Sequence, residues 1–317
     1  MSEADRLLAP LADWMHEHAD RGLIRHEKAY DQLLDFCAAR HGKPKDYPDV
    51  TREVDDFWKR ITHDTSVFVE RSPGEYAFLH LTFEEYWAAR YLVRDFNKAP
   101  DLINARRHNP RFTEVIQLAI ASQTDENASH LIRSAIWCTP DQAEQFGYQA
   151  SQYEDILRRD LFLAARCIRD CNSVDPALAK TVAEEMVAIC LNVDDKGRAT
   201  PLMARAKEVL AATPGSAVHI LALTSLIAAS KDEDSTIRRV AIHALGSAGQ
   251  GSPETIQVLI HANKDEDSDV RYAAVGALGK VGQGSPETIQ ALIHALKDED
   301  SDVREAAWTA FDKLASS

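Results

Sequence analysis

Long apolar runs are missing from this chain. No uninterrupted stretch of its 317 residues approaches the roughly 18 apolar positions that a membrane-crossing helix needs, and the first twenty residues carry charges throughout, without the apolar core of a secretory signal. Neither membrane spanning nor secretion is expected. Cysteine is scarce: Cys37, Cys138, Cys167, Cys171 and Cys190 are an odd number, scattered through a chain long enough to need no staples. Reduced thiols in a cytoplasm are the expectation, with no disulfide framework. Positive charge is short as well. Thirty-six Lys and Arg face fifty Asp and Glu, a formal charge of -14 that repels phosphate backbones wherever no local basic patch overrides it. What remains is a chain with 45% apolar positions, enough for a sizeable core, and a length suited to two or three structural units.

Signatures of catalysis are absent too. There is no Gly-x-Ser-x-Gly nucleophile elbow. The "HEH" of His16 falls short of the H-E-x-x-H spacing that sets two imidazoles on one helical face, and reads as a solvated helix end. Cys167 and Cys171 lie four apart in "DLFLAARCIRDC", but no second pair of ligands follows, which favours a buried helix face over a metal pair. No phosphate-cradling G-x-x-x-x-G-K-[ST] loop occurs: "HGKP" at His41 and "LGKVG" at Leu278 lack the hydroxyl residue and the upstream glycine. "AICLNVDD", Ala188 to Asp195, ends in paired acids like a Walker B strand, yet it has no partner loop and continues the helical spacing of Val182, Met186 and Cys190. The basic cluster "ARRHNPR" from Ala105 is short and isolated, a loop that anchors salt bridges rather than a nucleic-acid patch. No catalytic residue and no metal ligand is assigned, and the chain by itself is not expected to be an enzyme.

The C-terminal third repeats itself. "GSPETIQVLIHANKDEDSDVRYAAVGALGKVGQ" from Gly251 is followed at once by "GSPETIQALIHALKDEDSDVREAAWTAFDKLAS" from Gly284, a period of about 33 residues, and a degenerate copy starts at Val218. Each unit predicts two helices. Ser285 can cap the first with Pro286 at its first position, and Ile289, Leu292, Ile293 and Leu296 supply an apolar stripe. After the acidic turn a second helix starts near Val303 with Ala306, Ala307, Ala310 and Phe311 inward, while Gly279, Gly282 and Gly284 end and re-aim the chain between units. Asp265, Asp267 and Asp269 alternate as calcium ligands would. A valine replaces the required glycine and no glutamate closes the loop, so helix-capping turns explain them better. With "DSDVR" at Asp267 to Arg271 and at Asp300 to Arg304, the segment resembles short bacterial HEAT repeats. The resemblance implies an Asp–Arg ladder between repeats, assigned to Asp269 with Arg271 and Asp302 with Arg304. Such helix pairs stack into a solenoid that offers a surface rather than a reaction centre.

The first hundred residues have another character. Leu7, Leu8, Leu11, Trp14 and Met15 mark one amphipathic helix, Tyr30, Leu33, Leu34 and Cys37 a second, and Val54, Phe57, Trp58 and Ile61 a third. "SVFVE" and "YAFLH" then alternate across "RSPGE", a hairpin, which completes a winged-helix order. Thr82 with Glu85 fits a capping box, so a helix is expected to start just past His80. A histidine beside a helix N-terminus suits an anionic group such as a phosphate. "LAPLADWMHEH" followed by "VFVERSPGEYAFLHLTFEEYWAARYL" resembles the winged-helix segment that follows the nucleotide-binding core of NACHT-type STAND NTPases, whose usual wording is F-x-H-x-T-F-Q-E-Y-x-A-A. Phe78, His80, Thr82, Phe83, Glu85, Tyr86, Ala88 and Ala89 match, and Glu84 stands where glutamine is usual.

The resemblance implies that His80 contacts the β-phosphate of ADP, and only when an NTPase core is present; ATP or ADP with Mg belongs to the intact family member, with no cofactor for this chain alone. The expected architecture is mainly α: a winged-helix domain with one β-hairpin over residues 1–98, a helical region of degenerate pairs over 99–213, and HEAT-like repeats over 214–317. The implied role is the regulatory and sensor portion of such an NTPase, cytoplasmic, in antiphage defence, with a protein partner or ligand on the repeats. A free-standing interaction scaffold is the alternative. A bilin lyase shares short HEAT repeats but not the N-terminal motif, and DNA binding by the winged helix is disfavoured because "TREVDDFWKR" has as many acids as bases.

Overall fold

The computed structural model describes residues 3–194, 198–250, 252–281 and 285–316. Asp195, Gly251, Gly282 and Gly284, which carry parts of the expectations above, lie outside the described residues. The chain divides into two compact units, Met1–Gln149 and Ala150–Ser317.

In the first unit α1 (Glu3–His18) buries Leu7, Leu8, Leu11 and Met15 at helical spacing. A two-residue strand β1 (Ile24–Arg25) leads into α2 (His26–His41), which buries Ala29, Leu33 and Cys37. Helix α3 (Pro48–Lys59) starts on a proline, whose missing N–H is no loss at a first helical position, and runs into a wide turn at Arg60–Asp64. The hairpin follows as β2 (Phe68–Ser72) and β3 (Glu75–Phe78), with Phe68 opposite Phe78 and Gly74 at φ +74° in the turn. Strand β1 adds to the free edge of β3, Ile24 opposite Tyr76, so the wing has three strands in the order β1-β3-β2. Two residues are too few to show alternation, which is why β1 is silent in the sequence. Trp58 packs edge-on against Tyr76 at 4.9 Å and against Phe68 at 5.7 Å, holding the wing on α3. Helix α4 (Leu81–Leu92) returns to pack on α1. Helices α5 (Ala99–Arg106), α6 (Thr113–Ala121), α7 (Asp125–Leu131) and α8 (Ala143–Phe146) complete the unit, with Ile103, Phe112, Ile116 and Ile120 fully buried.

The second unit is helical pairs throughout. A short α9 (Glu154–Leu157) precedes α10 (Arg159–Asp170), α11 (Pro176–Leu191), α12 (Pro201–Ala211) and α13 (Ala217–Ala229), followed by α14 (Ser235–Ala248), α15 (Pro253–Ala262), α16 (Ser268–Val281), α17 (Pro286–Ala295) and α18 (Ser301–Ser316). Ser252 and Ser285 cap α15 and α17 by accepting from the N–H of Thr255 and Thr288, as the Ser-Pro wording predicts. The second helices α14, α16 and α18 stack on one another. Close approach requires Gly246 and Gly279: a Cβ there would lie 2.5 Å from that of Ala277 and 2.8 Å from that of Ala310.

Two expectations for the repeats need correction. The buried stripe of α17 is Thr288, Ala291, Leu292 and Ala295, whereas Ile293 is 46% exposed and Ile289 only half-buried. On α18, Val303, Ala307 and Ala310 are buried, and Ala306 and Phe311 lie at the margin. The stripe sits one position off because small residues are wanted where helices touch. The ladder also uses a different aspartate. Arg238 forks onto Asp265 with both bonds at 2.9 Å, and Arg271 onto Asp298 at 2.8 and 3.0 Å. Asp269 and Asp302 are exposed on the first turns of their helices. The alternating acids cap instead: Asp267 accepts from the N–H of Asp269 and Val270, and Asp300 from those of Asp302 and Val303.

Candidate functional site

Buried Phe78 ends β3, and the Arg71 guanidinium donates to the carbonyls of Phe78 and Leu79, fixing the exit from the sheet. His80 follows in extended geometry (φ -134°, ψ 147°) and is itself the N-cap residue of α4; its carbonyl accepts the N–H of Phe83. The expected capping box does not form. The helix begins at Leu81, so Thr82 already lies inside the first turn and cannot cap. The His80 side chain is exposed, its ring 5.9 Å from that of Phe83, and among the described residues no hydrogen bond reaches the imidazole. Around it Leu79, Leu81, Phe83 and Tyr86 are 37%, 59%, 40% and 45% exposed. A free imidazole at the positive end of a helix, rimmed by uncovered apolar side chains, is equipped to meet an anion held by a second surface.

His16 is the residue that sequence reasoning misplaced. Far from being a solvated helix end, it is 4% exposed, between α1, α4 and the turn at Pro110–Phe112. Nδ1 lies 2.8 Å from a carboxylate oxygen of Glu84, Nε2 donates to the carbonyl of Arg111, and the ring stands edge-on to Phe112. Both nitrogens face oxygens, so a protonated ring can donate to each of them. Burial pulls the His16 pKa down, but the bonds to Glu84 and Arg111 outweigh it and hold it above the usual histidine value. One signal was in the sequence: His16 continues the helical face of Ala12 and Met15 rather than that of His18.

The basic cluster anchors, as expected. Arg106 pairs with Asp13 at 2.8 Å, Arg107 donates to the carbonyls of Ala135 and Gln149, and Arg111 donates to that of Ala19. Burial outweighs Arg106 at Asp13 and pushes its pKa up to about 6. A cluster the sequence did not announce joins Cys37 and His41 of α2 to Glu53 of α3, with ligand atoms within 4.8 Å of one another. Arg40 donates to the same carboxylate and supplies the positive charge there. Burial disfavours ionised Glu53, yet the donors His41, Arg40 and Cys37 hold its pKa down to about 2. Cys167 is fully buried on α10, whereas Cys171 lies just past the end of that helix, is only half-buried, and donates its thiol to the Cys167 carbonyl, so the pair does not share one buried helix face. "AICLNVDD" is the end of α11 followed by a bridge between Val193 and Ala199.

This arrangement of three helices, wing and motif helix has a known counterpart. Residues 1–92 match the winged helix-turn-helix domain C-terminal to NACHT. Residues 223–311 match HEAT repeats, so the NACHT-associated winged helix and the repeats lie on one chain. No curated protein matches the sequence. Among solved structures the chain is similar to an engineered protein at 21% identity, covering 70% of this chain and 99% of that one with a TM-score of 0.31. It is similar to a computationally designed armadillo repeat protein for modular peptide recognition at 15% identity, covering 71% and 97% with a TM-score of 0.29. Human deoxyhypusine hydroxylase in complex with glycerol is 14% identical, covering 100% and 82% with a TM-score of 0.32. Among the described residues no helix is long and apolar enough to cross a membrane.

Proposed function

We propose that this chain is the regulatory and sensing portion of a NACHT-type STAND NTPase, working in the cytoplasm and in antiphage defence. The HEAT repeats take up a partner, and the winged helix relays that event to a nucleotide-binding core. The observation that carries the reading is His80: exposed, without a hydrogen-bond partner among the described residues, on the N-cap of α4 in the segment that matches the NACHT-associated winged helix. An imidazole so placed suits the terminal phosphate of ADP, and the apolar rim of Leu79, Leu81, Phe83 and Tyr86 suits contact with the core that holds the nucleotide. ATP or ADP with Mg would be the core's cofactor, and hydrolysis the core's chemistry; this chain contributes no P-loop to it.

A switch of this kind needs a sensor that prefers one state and a contact made in only one state. His80 gives the second and the repeats give the first. The experiment is to translate the DNA upstream of the codon for Met1 in every frame. The reading predicts a NACHT core with its G-x-x-x-x-G-K-[ST] loop, in frame or as a neighbouring gene. Its absence from every frame would favour a free-standing interaction scaffold, with His80 left as a junction residue.

A further inference from the structure

The second helices of the repeats form a groove of about 410 Å³, lined from α14, α16 and α18. Gly276 is on its lining, in the middle of α16, where a glycine weakens a helix. Packing explains Gly246 and Gly279 but not this one: a Cβ at Gly276 would meet nothing within 4 Å. The glycine therefore leaves the α16 backbone open toward the groove, as a chain lying across it would require.

The walls are polarised. Asp302, Glu305 and Tyr272 come from the first two turns of α16 and α18, while His243, Lys280 and Lys313 come from the later turns of the three helices. Lys280 and Lys313 occupy the same place in successive repeats. Half-buried Lys207 of α12 is not on the lining but lies within electrostatic reach of both His243 and Lys280. Among the described residues Lys207, Lys280 and Lys313 form no ion pair, in a chain with fourteen more acids than bases. Burial first, and then the positive charges of Lys207, Lys280 and Arg239, push the His243 pKa down to about 4.

The geometry points to this groove as the docking site for an extended, acidic peptide segment of a partner protein. Three adjacent helices 8–10 Å apart span roughly 20 Å, about six residues of extended chain. Carboxylates of that segment would neutralise the lysine row while its backbone crosses α16 at Gly276. A nucleic-acid strand fits less well, because it carries a phosphate at every step and would set some of them against Asp302 and Glu305, whereas a peptide can confine its carboxylates to the lysine side. The inference rests on the reading of the repeats as the sensing surface and names the chemistry they sense.

The test uses the full chain on an array of random eight-residue peptides, with single-stranded oligonucleotides as a second probe. Bound peptides should be enriched in Asp and Glu. The double variant Lys280→Glu/Lys313→Glu should lose at least tenfold in affinity for them, and raised salt should weaken the wild type. Gly276→Leu should lose binding as much while its melting temperature holds or rises, which separates a filled groove from a misfolded repeat. Lys264→Glu, outside the groove, should bind as wild type. Peptides without acidic enrichment, equal binding by the charge-reversed and groove-filled variants, or a preference for oligonucleotides would each overturn the proposal. None of these readouts involves ADP or ATP, so the groove can stand if the NTPase reading falls, and the reverse.

Discussion

His16 can take up a proton inside the first unit because each of its ring nitrogens faces an oxygen, one on Glu84 and the other the Arg111 carbonyl. Its pKa is raised above 6.5, so the stability it contributes is fully present below 6.5 and is lost as pH rises through the raised value. Asp13 acts in the same direction: with its pKa raised from 3.8 to about 6, it contributes most below 3.8 and loses that contribution as pH rises through about 6. Glu53, held down to about 2 by its donors, has the opposite sign but acts only below 4.5. The first unit should therefore lose stability as pH rises through about 6, where Asp13 ionises, and again as pH rises above 6.5 through the raised His16 value, read as its denaturation midpoint. Glu84→Gln keeps a partner at Nδ1 but removes the charge, and should lower the His16 titration midpoint measured by NMR. Glu84→Ala leaves the buried imidazolium unpaired and should cost about 3 kcal/mol. If His16 titrates below 6.5 in the wild type, the charged pair is wrong.

At the scale of elements, α16 makes opposite predictions for two of its glycines. Gly279→Ala drives a Cβ to 2.8 Å from that of Ala310, so α16 and α18 must part, at a cost of about 1–3 kcal/mol. Gly276→Ala meets open space and should gain up to about 1 kcal/mol from helix propensity alone. Urea denaturation of the two variants checks both signs. Arg271→Ala breaks a fork whose side chains are 9% and 8% exposed, and should cost about 3 kcal/mol; Arg271→Lys should recover only part, because an ammonium cannot make the fork. These elements also show what was legible. The Ser-Pro wording and the period gave the helix starts and the stacking, and alternation across "RSPGE" gave the hairpin. Ile293, the partner of Arg271, the burial of His16 and the pairing of β1 were not legible. Each depends on which neighbour lies opposite, a fact of tertiary packing that spacing along one helix or strand does not carry.

For the whole molecule, the motif around His80 was legible as wording and the structure adds its geometry: an N-cap position in place of a capping box, an exposed ring and an apolar rim. The relay proposed here requires this chain to need another surface before it can hold nucleotide. By calorimetry the full chain alone should bind neither ADP nor ATP. The central claim is tested most directly by measuring ADP affinity of this chain joined to the upstream-encoded core, as wild type and as His80→Ala. The account predicts at least tenfold weaker ADP binding by the variant, about 1.4 kcal/mol, with the repeats still folded. Equal affinity in the two proteins would contradict it.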